Sequence, residues 1–200
     1  MNLLLALMLC YCLLWLAVWL HEVGHGLFYR LYGCKGNPLR VTVPPSLFLS
    51  SPAPVDREKA DQLPPRRVAL IWYGGVLADL LWAAVCVLVL RFAVITSFWV
   101  LLGVWLFLCF HMAEAVSCLL PGSIFLHGDM AYVARACAPL RWVSLLAGMA
   151  LAFLWGVLLI ASPAGIRFFL LLISAVVFVG RTGMRIVLAS RANSSYQRPF

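Results

Sequence analysis

The strongest constraint on the fold is a series of long apolar runs separated by short polar stretches. Of the 200 residues, 64% are hydrophobic, a content typical of membrane proteins. A helix needs roughly 20 apolar residues to cross the hydrocarbon core of a bilayer. Five runs approach or exceed that length, at about 3–29, 68–90, 94–120, 142–160 and 166–189. The sequence therefore predicts an all-α polytopic membrane protein with about five transmembrane helices.

The basic residues predict how these spans are oriented. With five spans, thirteen of the fifteen Lys and Arg residues fall on one side, and only Arg91 and Arg167 fall on the other. Positive residues favour the cytoplasmic side, so we expect the N-terminus outside and the C-terminus in the cytoplasm, in the cell (plasma) membrane. The first run lacks a basic flank and is too long for a signal peptide, so we expect it to remain in the mature protein.

The net charge of +8 is compatible with nucleic-acid binding in principle, but its distribution argues against it. The basic residues are spread over three loops, without interleaved aromatic residues or a known nucleic-acid-binding signature. We therefore expect no nucleic-acid partner.

The first span carries the motif His21-Glu22-Val23-Gly24-His25. Residues i and i+4 share one face of a helix, so both histidines can bind one metal ion while Glu22 lies beside it. Catalytic zinc sites use three protein ligands and a water, and Glu22 suits the role of general base. The alternative is a pair of hydrogen-bonded core histidines with a protonated carboxyl. Ionisable groups are costly in a membrane, which favours the zinc site.

This motif at the end of a transmembrane helix resembles the site-2 protease family of intramembrane zinc metalloproteases, whose pattern is HExGH or similar. A second family element, GPxxN, is loosely matched by Gly75-Val76-Leu77-Ala78-Asp79, with Val for Pro and Asp for Asn. The resemblance implies a polar role for Asp79 close to the site, in contact with substrate or with the surrounding structure. It covers about the first 130 residues.

The family's third element resembles NxxPxxxLDG, and its Asp is the third zinc ligand. Here the corresponding stretch runs from Cys118 through Pro121 to His127-Gly128-Asp129. Aligning LDG with Leu126-His127-Gly128 assigns the ligand to His127, whereas keeping a carboxylate assigns it to Asp129. We favour Asp129, with His127 as the alternative ligand or as a group that contacts substrate or another ligand. A third interpretation makes Asp129 the cap of a following helix.

Two further ionisable residues lie within the third run. His111 and Glu114 are spaced i, i+3 and share a helix face. They are candidates for a competing metal pair, for substrate contact, or for a buried hydrogen-bonded pair. Their position, a turn or two before Pro121, predicts that they lie deeper than the metal site.

The segment between the first two spans alternates apolar and polar residues at 39–43, followed by Pro44-Pro45 and Leu47-Phe48-Leu49. This pattern predicts a short membrane-edge β-hairpin, and the alternative is an interfacial loop. Such elements in the resembling family lie beside the active site. We expect residues 1–135 to form the metalloprotease core, and residues 136–200 to add two transmembrane helices and a short cytoplasmic tail.

These observations favour an intramembrane zinc endopeptidase with one Zn²⁺ per chain, acting on a membrane protein or membrane-associated peptide in the bilayer. One alternative is a haem- or metal-binding membrane protein using His21, His25, His111 and His127. Another is a non-catalytic, protease-like assembly factor. The sequence does not predict the oligomeric state.

Overall fold

The computed structural model describes residues 2–196, which fold into helices joined by loops. The helices are α1 (Leu3–Leu31), α2 (Arg57–Asp61), α3 (Pro65–Phe92), α4 (Phe98–Phe125), α5 (Asp129–Ala136), α6 (Leu140–Ala161) and α7 (Ala164–Tyr196). Within this described part of the chain, five segments are long and apolar enough to cross a membrane: α1, α3, α4, α6 and Ala164–Met184 of α7. The prediction of an all-α polytopic membrane protein is confirmed.

The five long helices end beyond the apolar runs that predicted them. The third helix was expected to end at residue 120, but α4 continues through Pro121 to Phe125. Helix α7 continues to Tyr196, into the stretch expected to be a tail, and residues 197–200 lie outside the described part of the chain. Hydropathy marks the lipid-facing part of a helix, whereas backbone hydrogen bonding continues until a local break. For α4 that break lies at Leu126 and Gly128, which have φ values of 52° and 56°.

Helix α4 lies at the centre of the bundle. In its most apolar 18-residue window 72% of the residues are buried, compared with 22% to 33% in the other four spans. The main apolar core is built around α4 residues such as Leu106, Phe110 and Val116, and it draws side chains from α1, α3, α6 and α7. A polar side chain that α4 presents inward is therefore shielded from lipid by its neighbours.

A close contact between glycines joins α1 to α3. A Cβ atom added to Gly24 would lie 2.2 Å from the carbonyl oxygen of Gly74, and one added to Gly74 would lie 2.6 Å from that of Gly24. Small residues allow membrane helices to approach this closely. The contact is one residue from His25 and three from His21, so it brings the motif of α1 directly against α3.

The predicted β-hairpin between the first two spans is not present. In the described residues this region holds a single antiparallel bridge, between Thr42 and Ser51. Pro44 and Pro45 lack the N–H that a ladder needs, and Leu47 and Leu49 have φ values of 62°, which takes the backbone out of the extended conformation. We call residues 44–50 the loop tip.

The loop tip lies alongside α1. The Tyr11 hydroxyl donates to the carbonyl of Pro45 over 3.0 Å, and Tyr11 precedes His21 by ten residues, or about 15 Å of helix rise. The tip therefore runs back along α1 toward its N-terminal end. At the base of the loop, the partly buried Lys35 Nζ donates to the carbonyls of Arg40 (2.7 Å) and Pro54 (3.0 Å), which fixes the two arms of the loop together.

Candidate metal centre

Two histidines of α1 and a carboxylate of α5 converge on one point. The Nε2 atoms of His21 and His25 lie 3.2 Å apart. An Asp129 carboxylate oxygen, Oδ2, lies 3.3 Å from the first and 3.4 Å from the second. The histidine side chains are buried, while that of Asp129 is 15% exposed. This is the group of potential metal ligands found among the described residues.

The hydrogen bonds of the two imidazoles determine which nitrogen is available to a metal. His21 Nδ1 donates to Asp79 Oδ2 over 2.7 Å, and His25 Nδ1 donates to the carbonyl of Ile71, also over 2.7 Å. A neutral imidazole has one N–H, so in the neutral form of these rings both Nε2 atoms present lone pairs. Two lone pairs and a carboxylate oxygen within 3.4 Å of one another repel unless a cation or proton lies among them. The donor set therefore fits a divalent metal such as zinc.

Helix α3 leaves room for these nitrogens because residue 75 is glycine. A Cβ atom added to Gly75 would lie 2.5 Å from His21 Nε2 and 2.6 Å from His25 Nε2. Any larger side chain would occupy the space next to the convergent lone pairs. Gly75 is therefore part of the site because only glycine leaves this space free.

Asp79 connects two histidines in the interior of the bundle. Its Oδ2 accepts from His21, and its Oδ1 accepts from Nδ1 of His111 over 2.8 Å. Asp79 and His111 are both fully buried. Helices α1, α3 and α4 are therefore linked by one carboxylate, which sets the orientation of His21. This is consistent with the polar role near the site that we expected for Asp79.

The structure separates the two candidates for the third ligand. Asp129 joins His21 and His25, whereas the His127 ring stacks on Phe125, with 6.4 Å between ring centroids. Asp129 is the first residue of α5 rather than its cap, since Gly128 occupies the N-cap position. The thiol of Cys118 also donates to Asp129 Oδ2 over 3.3 Å.

The local electrostatics keep Asp129 ionised. Burial by itself raises the pKa of this carboxyl, but the positive charge of the adjacent His25 and His21 rings, when these carry a proton at Nε2, lowers it by more, so the pKa lies well below its usual range. An anionic carboxylate in contact with two imidazole lone pairs is a strong ligand set for a hard or borderline cation.

Glu22 lies beside the convergent atoms and faces a cavity of about 210 Å³. The Ser50 hydroxyl, from the end of the loop tip, donates to Glu22 Oε1 over 2.7 Å. The cavity is lined by His21, Glu22, Phe48, Leu49, Ser50, Gly128, Asp129, Arg181 and Met184. A carboxylate with one oxygen held by the loop thus borders a space that is open to a small reactant.

His111 and Glu114 have different partners. His111 binds Asp79, while both carboxylate oxygens of Glu114 contact the guanidinium of Arg181 on α7, with 2.7 Å from Nη2 to Oε2. Both residues are buried, but these contacts join each of them to a different group, so they do not form the hydrogen-bonded pair that was one of the three interpretations.

Four groups at or next to the site were not predicted from the sequence: Ser50, Arg181, Cys118 and the carbonyl of Ile71. Ser50 and the Ile71 carbonyl carry no distinguishing sequence signal, and Cys118 resembles the other apolar-run cysteines. Arg181 did carry a signal, because an arginine within a hydrophobic span requires a partner. Glu114, one of the carboxylates within the apolar runs, was available as that partner.

In comparisons with known proteins, no protein-family description, no curated protein and no solved structure matches this chain.

Proposed function

We propose that the chain is an intramembrane zinc endopeptidase similar to the site-2 proteases. The observation that supports this most directly is the convergence of His21 Nε2, His25 Nε2 and an Asp129 carboxylate oxygen, with Glu22 beside them on the wall of a cavity. Three protein ligands and an accessible side are typical of catalytic rather than structural zinc sites. His21, His25 and Asp129 would hold one zinc ion per chain.

The residues around the cavity have defined roles in this proposal. Zinc, when bound, supplies a Lewis acid that polarises a peptide carbonyl and acidifies water. Glu22 takes a proton from the attacking water and passes it to the leaving amine. Asp79 and the Ile71 carbonyl hold the two imidazoles with Nε2 facing the site.

The substrate in this proposal is a transmembrane or membrane-edge segment of another protein. A helix satisfies its own backbone amides, so the segment must unwind locally before it can enter a cavity of about 210 Å³. The distribution of basic residues favours a cut toward the cytoplasmic side of the cell membrane. Nucleic acid has no role in this proposal.

Metal content tests the ligand set. We expect about one zinc per purified chain, and we expect Asp129→Ala to lose it while His127→Ala retains it. Zinc retained by Asp129→Ala but lost by His127→Ala would show that the ligand assignment is wrong. A Soret band in place of zinc would favour the haem-binding alternative. The 3.2 Å separation of the Nε2 atoms does not support His21 and His25 as the two ligands of one haem, because such a pair binds from opposite faces.

Glu22→Gln tests the chemistry separately from metal binding. The amide has the shape of the carboxylate but cannot act as a base, so zinc should remain bound while cleavage of a membrane-peptide substrate falls by at least about 100-fold. Cleavage that survives this change would disprove the proposed role of Glu22. If the wild-type protein binds zinc but cleaves nothing, the assembly-factor alternative is favoured.

A further inference from the structure

Arg181 contacts two parts of the molecule at once. It lies in α7, the last span, and its side chain is only 7% exposed. Its Nη2 and Nε face the carboxylate of Glu114 on α4, and its Nη1 donates to the carbonyl of Leu47 in the loop tip. A guanidinium can bond the carboxylate and the carbonyl at the same time because its N–H donors form a rigid planar fork.

The ion pair satisfies a requirement of the membrane. Glu114 is fully buried in the central helix, and an isolated carboxylate or guanidinium at that depth is costly. The ion pair with Glu114 neutralises both charges through Nε and Nη2 of Arg181. The Nη1 donor is also buried and needs an acceptor of its own, and that acceptor is the carbonyl of Leu47, in the loop that borders the cavity.

The Leu47 bond is positioned to control the wall of the cavity. Leu47 is buried, whereas Leu49, two residues later, is 71% exposed, and both have positive φ. Non-glycine residues in this region of φ are strained and persist only where surrounding contacts hold them. The next three residues, Phe48, Leu49 and Ser50, line the cavity, and Ser50 bonds Glu22.

We propose that Arg181 is a positioning residue of the candidate active site. Anchored by Glu114, it holds Leu47 and thereby keeps the loop tip in the strained conformation that places Ser50 on Glu22. Helix α7, which lies outside the motif-bearing region, therefore completes one wall of the site. This inference rests on the proposed function for its catalytic meaning, but the contact itself can be tested without any activity.

The test measures exposure of the loop tip through a thiol at its anchored residue. Leu47→Cys is introduced into the full chain together with Cys12→Ser, which removes the exposed native thiol, and the purified protein is reacted with a maleimide. The Cys12→Ser parent corrects for the other cysteines. With Arg181 intact the introduced thiol should react slowly, because residue 47 is only 7% exposed.

The decisive variant is the double change Glu114→Gln and Arg181→Gln, which removes both charges and leaves no unpaired ion. We expect the introduced thiol at position 47 to react about tenfold faster in this variant, the change expected on losing one charge-assisted hydrogen bond. Arg167→Gln is the matched control, since this partly buried arginine lies on the same helix and bonds the nearby Ser162 carbonyl. It should leave the rate unchanged.

Slow labelling in the double variant would overturn the proposal, because Arg181 would then serve only to neutralise Glu114. Equal acceleration by Arg167→Gln would also overturn it, since the effect would then be a general loosening of α7. Zinc is measured on the same samples. A wild-type chain without zinc would refute the proposed function, whereas the labelling rates would still decide the role of Arg181.

Discussion

At the scale of single residues, the candidate metal site depends on groups that are not among its proposed ligands. Asp79 accepts a hydrogen bond from each of two buried histidines and thereby selects the tautomer of His21. Partners of this kind orient metal ligands and increase their basicity. The motif in α1 supplies two of the proposed ligands, but α3 determines which nitrogen of His21 faces the candidate metal site.

Replacing Asp79 with Asn is expected to weaken zinc binding by about 10- to 100-fold, because the amide is a poorer acceptor and carries no charge. Competition with a chromophoric chelator measures this affinity. Asp61→Asn, at an exposed position in α2, is the control and should leave it unchanged. Equal affinities for the two variants would mean that Asp79 does not support His21.

At the scale of helices, the contact between α1 and α3 places the two motif-bearing helices against each other. Gly24 and Gly74 are in backbone contact, and Gly75 leaves space for both histidine rings. Three glycines within two short segments therefore permit the packing on which the site depends. A methyl group at this crossing has no space to enter, because the facing atoms belong to backbone.

Gly24→Ala is expected to destabilise the bundle by about 1–3 kcal/mol, the usual cost of overpacking. It should also reduce zinc uptake, since α1 must shift away from α3. Thermal unfolding in detergent and metal content measure the two effects. Gly180→Ala in α7 is the control, because an added Cβ there meets nothing within 4 Å. Wild-type stability in Gly24→Ala would contradict the close helix contact.

At the scale of the whole molecule, an odd number of spans places the two ends of the chain on opposite sides of the membrane. The segments that follow α1 and α4, together with the end of α7, carry most of the basic residues, while the loop between α3 and α4 follows Arg91 alone. Positive charge is retained in the cytoplasm, so the loop after α1 should be cytoplasmic.

Single cysteines test this orientation in intact cells, in the Cys12→Ser background. Ser97→Cys, between α3 and α4, should react with a membrane-impermeant maleimide from outside. Gly36→Cys, in the loop after α1, should react only after the membrane is permeabilised. The opposite pattern would reverse the orientation. Labelling of both positions from the same side would contradict the assignment of α3 as a single span between them.

The amino-acid sequence alone predicts the fold class, the approximate spans and the position of the two motif histidines. Spans are predictable because hydrocarbon requires a continuous apolar run and an internally bonded helix. The pairing of His21 with His25 is predictable because helix periodicity places i and i+4 on one face. These properties depend on local sequence, and distant contacts do not change them.

Which distant groups meet is set by the tertiary structure. The position of Asp129, rather than His127, next to His21 and His25 depends on the turn at Leu126 to Gly128, and the lack of a hairpin among the described residues depends on backbone angles at Leu47 and Leu49. The contact of Arg181 with Glu114 and Leu47 joins residues 67 and 134 positions apart. Such contacts arise from the packing of helices against one another. No local pattern of residue types or spacing along the chain predicts them.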